Sequence, residues 1–545
     1  MYPSFDFEVA REHEVQPHGF TISVSGEEGG NQHDLHLTLT VSPTGDVVDA
    51  DAGGDNKVLK FWPQIQGQMR RWKFVPFEVN GKAVTAQVEE YIELVPQGRL
   101  PKHHVAAPVL RPNSQVAITL ERTGCLGICP DYTATVSTDG IVFDGRYSVV
   151  AAGKHTDIVC ADEVRKLAKS LVGADFYSMD SKYTSGVSDV AHYLLSVDID
   201  GHIKKVRDDG GWYGVDMPAV ITELEDDVDT FARTQRWIKG SEGLVEALRE
   251  EKFNFRTFEA QVMLKEAASR GRITTMGELL EAGVPLRPLP PPKPKERFPG
   301  VPFEHVGWLN AASDQPEALR FFIDAAASKD DQNDKDLALA TAARKGNLEA
   351  ARILIAYGAN PNADLSELIV TEGIDIMTTQ SKGAGSVLIY AAESGNPEMI
   401  REILRYHPKL EARDPRGRTA IFAAGVDDSR AKVDARVECV RQLVQAGADM
   451  NARDNNGNTP LHETFLTDVI EELLKLGADV NARNKDGETP IFTTVDENAI
   501  PLFIEHGADL SICNNKGETV MEAAKEKGPA REEALREAIQ KMDQR

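Results

Sequence analysis

The sequence predicts a multidomain protein in which two small α+β domains precede an all-α helical solenoid. The chain has 545 residues, which is enough for three or more domains of about 100–200 residues each. Its first half alternates apolar and polar residues between turn sequences, a pattern typical of half-buried strands. Its second half repeats one motif, with Gly447, Gly477 and Gly507 spaced 30 residues apart. A fixed period of about this length indicates a stack of repeated units.

The first domain is predicted to span residues 15–97. The run LHLTLTV alternates apolar and polar residues, and a hairpin is expected to turn at Asn80-Gly81. This segment contains the motifs VSPTGDV, RRWKFVP and NGKAV. In these motifs it resembles the C-terminal domain of TonB-type energy transducers. The resemblance implies that the domain binds by adding a strand to the edge of a partner's sheet. A Pro- and His-containing linker, residues 98–113, follows it.

The second domain is predicted to span residues 114–240, with strands on both sides of the run GCLGICP. Hairpins are expected at Asp139-Gly140 and Asp200-Gly201, and the acidic run 223–229 is expected to be a solvated helix face. The segment resembles a bacterial domain family that is defined by a CxGxCPxY signature and has no assigned function. The residues that carry this resemblance are Arg122, Cys125, Gly127, Cys129, Pro130 and Tyr132.

Cys125 and Cys129 are the only closely spaced pair among the five cysteines of the chain. Three interpretations are open: a structural disulfide or buried thiol pair that holds the loop, a redox-active pair, and a metal site. The CxxxC spacing differs from the CxxC of thioredoxin-like redox sites. Zinc needs four ligands, and the remaining candidates, Cys160, His155 and His192, have no recognisable spacing.

The strings GADMNARDNNGNTPLH, GADVNARNKDGETPIF and GADLSICNNKGETVME resemble the ankyrin repeat, whose usual period is about 33 residues. The resemblance implies paired helices joined by projecting turns, stacked into a solenoid that binds proteins. We expect about eight units over residues 258–545, the last being a polar cap. Insertions are predicted at 284–300, which is Pro-rich and should be extended, and at 364–385, which has the length for its own hairpin.

The residue types that recur at fixed positions of the repeats can be explained physically. Thr459-Pro460 and Thr489-Pro490 predict helix starts, because a Thr hydroxyl accepts a first-turn amide and Pro suits the first helical position. Gly447, Gly477 and Gly507 follow apolar helical stripes, where glycine is the best residue for a left-handed helix end. A period of 30 means that about three residues are missing from the two units with Thr-Pro. Their first helices should therefore be short.

Charge and composition exclude several classes of function. The chain has 61 Lys+Arg and 86 Asp+Glu, a net charge of −25. Nucleic-acid binding depends on cationic surface, so no nucleic-acid partner is expected, and the net charge favours a neutral or basic partner. No stretch approaches the ~18–20 apolar residues of a membrane span. The start MYPSFDFEVAREHEV lacks signal-peptide features, which predicts a cytoplasmic protein, or a periplasmic or secreted one if the start is truncated.

The sequence contains no G-x-S-x-G, H-E-x-x-H, P-loop or kinase signature. His462 is expected to hydrogen-bond the backbone of a neighbouring turn, which is a structural role. We therefore predict a non-enzymatic protein, with no cofactor or metal and no specified oligomeric state, that binds a protein partner on the concave face and turn tips of the solenoid. The alternative is a thiol-redox or metal-binding module built on Cys125 and Cys129, with the solenoid as a docking arm. The polar residues expected to project from the turns and contact the partner are Asp414, Arg416, Asp454, Asn455, Asn484, Lys485, Asn514 and Lys516.

Overall fold

The computed structural model describes residues 4–5, 21–24, 33–53, 62, 72, 74, 76–79, 82–96, 103–125, 129–184, 191–209, 217–218, 220–241, 243–289, 307–325, 327, 331–366, 369–372, 379–382, 385–425, 433–494, 497–527 and 529–543. The chain forms two compact units. Met1–Glu304 and Gly373–Thr378 make up the first, and His305–Glu372 and Thr379–Arg545 make up the second. The first unit is rich in strands and the second is mainly helical. The predicted fold class is therefore confirmed.

The first domain is built on a sheet of five described strands and a small hairpin. Its strands are β1 Ser4–Phe5, β2 Thr21–Val24, β3 His33–Val41, β4 Val47–Gly53, β5 Glu78–Val79, β6 Lys82–Ala83 and β7 Ala86–Pro96. Strand β3 is antiparallel to both β4 and β7, whereas β1 and β2 pair with β7 in parallel. Strands β5 and β6 pair in antiparallel fashion on the two sides of Asn80-Gly81, where a hairpin is predicted, and the two turn residues lie outside the described residues. The buried side of the domain contains Leu37, Leu39, Phe74 and Phe77.

The second domain contains a sheet of seven described strands. They are β8 Val116–Arg122, β9 Asp131–Ser137, β10 Gly140–Tyr147, β11 Gly153–Asp157, β12 Lys182–Thr184, β13 His192–Ile199 and β14 His202–Asp209. Their order is β11-β10-β9-β8-β13-β14-β12, and only β12 pairs in parallel among them. Asp200 and Gly201 have φ of 53° and 84°, as the predicted two-residue hairpin turn requires.

Four described helices complete the second domain: α1 Ala161–Gly173, α2 Val220–Ala232, α3 Thr234–Lys239 and α4 Leu244–Glu250. Helices α1 and α2 pack on β8 and β9. They bury Val164, Leu171, Ile221 and Val228 completely. Because apolar residues on one face of each helix meet the alternating apolar face of the sheet, the domain has a single sheet–helix core.

The first predicted repeat belongs to the first unit. It consists of α5 Phe258–Ser269 and α6 Ile273–Glu281. The Thr257 hydroxyl accepts a bond from Ala260 N at 3.3 Å and caps α5. Helix α6 packs on α4, and Thr275 Oγ1 donates to Gly240 O at 2.7 Å. This pair therefore docks directly on the last helices of the second domain.

The second unit contains seven described helix pairs. The first helices of the pairs are α7 Trp308–Ala311, α9 Gln332–Arg344, α11 Val387–Glu393, α13 Ala420–Ala424, α15 Pro460–Glu463, α17 Pro490–Thr493 and α19 Val520–Lys527. The second helices are α8 Pro316–Asp324, α10 Leu348–Ala356, α12 Pro397–Leu404, α14 Val433–Gln445, α16 Thr467–Lys475, α18 Ile500–Glu505 and α20 Pro529–Asp543. Each first helix contacts the next first helix, and each second helix contacts the next second helix. The unit is therefore a two-layer solenoid.

The helix boundaries follow the sequence signals in most places. Gly447, Gly477 and Gly507 have φ of +100°, +96° and +87°, and Thr459 and Thr489 are N-caps followed by proline. Helices α15 and α17 have four residues each, as the shortened period predicts. The expectation that the Thr hydroxyl accepts a first-turn amide is wrong at Thr489, whose Oγ1 has no partner among the described residues. Pro490, the first residue of the helix, has its own φ fixed near the helical value by its ring, without that hydrogen bond.

The insertion at 364–385 contains an antiparallel hairpin, as predicted, made of β15 Ile369–Glu372 and β16 Thr379–Lys382. Most of the insertion at 284–300 lies outside the described residues, so its extended conformation stays a prediction. In the part of the chain that the structure describes, no helix has both the length and the apolar character to cross a membrane.

Candidate functional site

Four tight turns precede the last four helix pairs, and we call them the turn tips: residues 414–417, 454–457, 484–487 and 514–517. In the first tip Asp414 Oδ1 accepts bonds from the backbone N of Arg416 and of Arg418, both at 2.8 Å. The equivalent oxygen in each of the other three tips accepts the same two bonds. These side chains therefore close the turns that carry them.

The prediction that all eight polar residues project from the turns is wrong for half of them. The four that instead fold back onto their own turn are Asp414, Asp454, Asn484 and Asn514. Asp454 and Asn514 are only 8% and 7% exposed. A short Asp or Asn side chain satisfies two backbone amides here, and it is then directed away from any partner.

The other four predicted residues, Arg416, Asn455, Lys485 and Lys516, are exposed. Two of them also join neighbouring tips: Asn455 Nδ2 donates to Pro415 O at 3.0 Å, and Lys485 Nζ donates to Asn455 O at 2.6 Å. Arg416 and Lys516 are exposed and form no side-chain hydrogen bond or ion pair with another described residue. These two are therefore the most available for a partner.

Backbone hydrogen bonds connect the tips into one ladder. Each later tip donates to the one before it: Asn455 N to Arg416 O at 2.8 Å, Lys485 N to Asn456 O at 2.9 Å, and Asn515 N to Asp486 O at 2.8 Å. Bonds of this kind fix the spacing and direction of the tips relative to one another. The exposed side chains consequently stand on a rigid support.

Three arginines that the sequence analysis missed strengthen this ladder. Each donates to the glycine carbonyl of its own tip and to a carbonyl of the next repeat: Arg413 to Gly417 and Arg453, Arg453 to Gly457 and Arg483, and Arg483 to Gly487 and Cys513. All three remain exposed. Their signal is visible in the sequence, because each directly precedes the Asp or Asn that opens a tip.

The tips, together with the residue directly before each, contain six exposed cations and three carboxylates, those of Asp414, Asp454 and Asp486. We call six exposed residues the tip cations: Arg413, Arg416, Arg453, Arg483, Lys485 and Lys516. Among the described residues none of these six cations forms an ion pair, and the Asp414 carboxylate pairs instead with Arg418 at 2.8 Å. Exposed cations on the second helices differ, since Arg320 pairs with Glu349 at 2.6 Å and Lys475 pairs with Glu471 at 2.6 Å.

His462 has the structural role that was predicted. Its Nε2 lies 3.1 Å from Glu488 O, in the neighbouring turn, and Thr459 N donates to its Nδ1 at 3.0 Å. With Nδ1 accepting and Nε2 donating, the ring is held as a neutral imidazole. Burial lowers the pKa of His462, which further favours this neutral form.

A second candidate site lies in the second domain, where a row of polar side chains crosses four strands. Strand pairing places Arg122 of β8 opposite Tyr132 of β9 and Tyr193 of β13, and places Tyr193 opposite Asp208 of β14. Directly paired residues share one face of a sheet. The Arg122 guanidinium carbon lies 5.1 Å from the centre of the Tyr193 ring. We call these four residues the polar row.

Helix α2 covers the polar row with acidic side chains. Tyr132 Oη donates to Asp229 Oδ2 at 2.5 Å, and Thr234 Oγ1 donates to Asp229 Oδ1 at 3.0 Å. Glu225 is 3% exposed, and its Oε1 has no hydrogen-bond partner among the described residues. The expectation that the run 223–229 is solvated is therefore wrong for Glu225 and Asp229. Glu225 and Asp229 are four residues apart and therefore share one face of the helix. That face is directed toward the sheet.

Burial changes the acidity of this layer. Burial, and next the charge of Asp229, raise the pKa of Asp226 to about 8. The pKa of Glu225 is also raised, by burial and then by the charge of Asp208. Burial raises the pKa of Asp229, although the bond from Tyr132 opposes that shift. Asp226 therefore keeps its proton at a pH where exposed carboxyls have lost theirs.

A disulfide between Cys125 and Cys129 lies in the connection between β8 and β9, with Cα atoms 5.5 Å apart. It lies beside Arg122 and Tyr132 in the sequence and so connects the two strands at the polar row. The structure thus contains the disulfide, while a structural role and a redox role of the pair both stay predictions. Among the described residues, no group of three or more His, Cys, Asp or Glu is arranged to hold a metal ion.

Fold and sites together define a multidomain protein with a helical-repeat solenoid in its C-terminal half. Residues 334–364 match the family described as Ankyrin repeat, and residues 388–482 match Ankyrin repeats (3 copies). The C-terminal half therefore contains ankyrin repeats, as predicted. Residues 116–232 match the Domain of unknown function (DUF6438), and this segment contains the polar row, the acidic face of α2 and the disulfide. The resemblances to a TonB-type domain and to the CxGxCPxY family stay predictions.

Proposed function

We propose that this protein binds a partner protein on the turn tips and concave face of its ankyrin repeats. Ankyrin repeats in the C-terminal half support an interaction role. The observation that supports the choice of surface is the row of exposed tip cations. They lack described acidic partners, although exposed cations of the second helices, such as Arg320 and Lys475, have them. A cation with no acidic partner within the protein keeps its charge available to an external carboxylate.

The rigidity of the tips supports the same choice. The backbone ladder and the bonds from Arg413, Arg453 and Arg483 hold the tips before any partner arrives. A surface ordered in advance loses little conformational entropy on binding, so more of the contact energy appears as affinity. The turn-closing residues, such as Asp454, contribute to this order and need not touch the partner.

Charge reversal tests the proposal. In the full chain, Arg416→Glu, Lys485→Glu and Lys516→Glu are combined, and partner proteins are captured from cells of the source organism and counted by crosslinking mass spectrometry. We expect capture to fall by about tenfold or more, since several like charges face the partner at once. The melting temperature should change by no more than about 3 °C, because exposed charges contribute little to stability.

A matched control combines Lys345→Glu, Lys475→Glu and Lys525→Glu, three exposed lysines of the same unit that lie on or directly after helices. The net charge changes by the same amount as in the tip variant, so a general charge effect appears in both. Equal capture by the tip variant and the original protein would contradict the proposed surface.

A further inference from the structure

The turn tips, together with the residue directly before each, carry a local excess of cations although the whole chain is acidic. The net charge is −25, yet these four segments hold the six tip cations and only three carboxylates, those of Asp414, Asp454 and Asp486. None of the three forms an ion pair with a tip cation among the described residues, and Asp414 pairs with Arg418 instead. The whole-chain charge, which favours a neutral or basic partner, is therefore a poor guide to this surface. A partner segment of opposite local charge is the one that the tips attract.

The arginines of the ladder keep hydrogen-bond donors for such a segment. Arg413 and Arg453 each make both of their bonds through Nη1. A guanidinium has five N–H donors in a fixed plane, so most donors of these two residues have no described acceptor. Because backbone carbonyls already orient each guanidinium, a carboxylate meets a fixed and directed donor.

The spacing of the tips fits an extended chain. Packed helices lie about 8–10 Å apart, so successive tips are separated by about the same distance. An extended chain advances about 3.3 Å per residue, and the distance from one tip to the next therefore corresponds to about three residues. We propose that the tip cations bind an extended acidic segment of the partner protein, with Asp or Glu at about every third residue. This inference rests on the proposed function and specifies its partner.

Nucleic acid fits the same cations less well. A duplex carries one charge about every 1.7 Å of its axis, far more densely than one tip every 8–10 Å. Most phosphates would face no tip cation, and they would lie against a chain of net charge −25. A protein segment with spaced carboxylates avoids this repulsion, so it is the class that the surface favours.

The test uses the full-length protein and a fluorescent peptide of about ten residues, which is the length that spans four tips, with Glu at every third position and Ser and Gly between. Fluorescence anisotropy measures binding. We expect the apparent Kd to rise by about tenfold or more between roughly 0.05 and 0.5 M salt, because screening weakens exposed ion pairs. The tip triple variant should lose binding by a similar factor, whereas the helix-lysine triple should bind as the original protein does.

Three results would overturn the inference: no binding of the Glu peptide, equal binding by the tip triple variant, or tighter binding of a single-stranded oligonucleotide with the same number of charges. Such a failure is distinct from failure of the proposed function. If the tip variant still loses its captured partners while the Glu peptide does not bind, the tips are a protein-binding surface for a partner of other chemistry.

Discussion

Single residues at the turn tips divide into those that hold the turn and those that face solvent. Asp454 is 8% exposed and accepts bonds from Asn456 N at 2.8 Å and Asn458 N at 2.7 Å. The next residue, Asn455, is exposed. Turn sequences such as DNNG predict where the chain reverses. They do not separate these two roles, because side-chain direction depends on which amides the closed turn leaves unsatisfied.

Removing the Asp454 carboxylate tests the turn-holding role. In Asp454→Ala two turn amides lose their acceptor, so we expect a local stability loss of about 1–3 kcal/mol. Hydrogen–deuterium exchange should accelerate at Asn456 and Asn458, while the exposed-residue control Asn456→Ala leaves exchange nearly unchanged. Asp454→Asn should be close to neutral, since Asn484 closes the equivalent turn of the next repeat. Unchanged exchange in Asp454→Ala would contradict the role.

Buried arginines donate hydrogen bonds to the carbonyls at the C-terminal ends of several helices of the solenoid. Arg436 of α14, 1% exposed, donates to Ala424 O at 3.3 Å and Glu393 O at 3.3 Å, at the ends of α13 and α11. Arg531 of α20 donates to Ile491 O at 2.8 Å, Phe492 O at 3.2 Å and Thr494 O, at the end of α17. The last carbonyls of a helix have no partner within it. Helices of four or five residues expose them after about one turn, and the arginines supply the missing donors.

Arg531→Met tests this capping across elements. The variant keeps most of the side-chain volume but leaves three carbonyls at the end of α17 without donors, so we expect a loss of about 2–4 kcal/mol. Exchange should accelerate in α17 and α20 together. The control is Arg536→Met in the same helix, whose guanidinium is exposed and pairs with Glu532, and which should change stability by less than about 1 kcal/mol. Similar effects of the two variants would contradict capping by Arg531.

At the scale of the whole molecule, the sequence predicted periodic features well and long-range ones poorly. Gly447 and Thr459 mark the end of one helix and the start of another, because each signal is local to a few residues. The polar row was missed, since Arg122 and Tyr193 are far apart in sequence and meet only when β8 and β13 pair. Arg531 was missed for a related reason. In a polar terminal helix it resembles a surface residue, and only packing shows that it is buried.

The stability of the second domain and the stability of the repeats should change with pH in opposite directions. In the second domain, burial, followed by the charge of Asp229, raises the pKa of Asp226 from 3.8 to about 8, so the folded domain binds this proton more tightly than the unfolded chain. Its contribution to stability is complete below about pH 4 and is lost as the pH rises to about 8. Exchange in β8, β9 and α2 should therefore be slower at pH 5 than at pH 8 after correction for intrinsic rates, and Asp226→Asn should reduce the difference.

The repeats around His462 should behave in the opposite way. Its pKa is lowered by burial, and protonation of Nδ1 would break the bond from Thr459 N. The unfolded chain takes up this proton more readily, so stability falls as the pH drops below the ordinary histidine pKa of about 6.5. Exchange in α15 and in the turn at Glu488 should accelerate between pH 7 and pH 5, while the second domain becomes better protected. His462→Gln, which has no titratable group, should remove the change in the repeats alone. If both halves lost protection on acidification, the second domain would not be storing protons in its buried acidic layer, and the assignment of the raised pKa to Asp226 would be wrong.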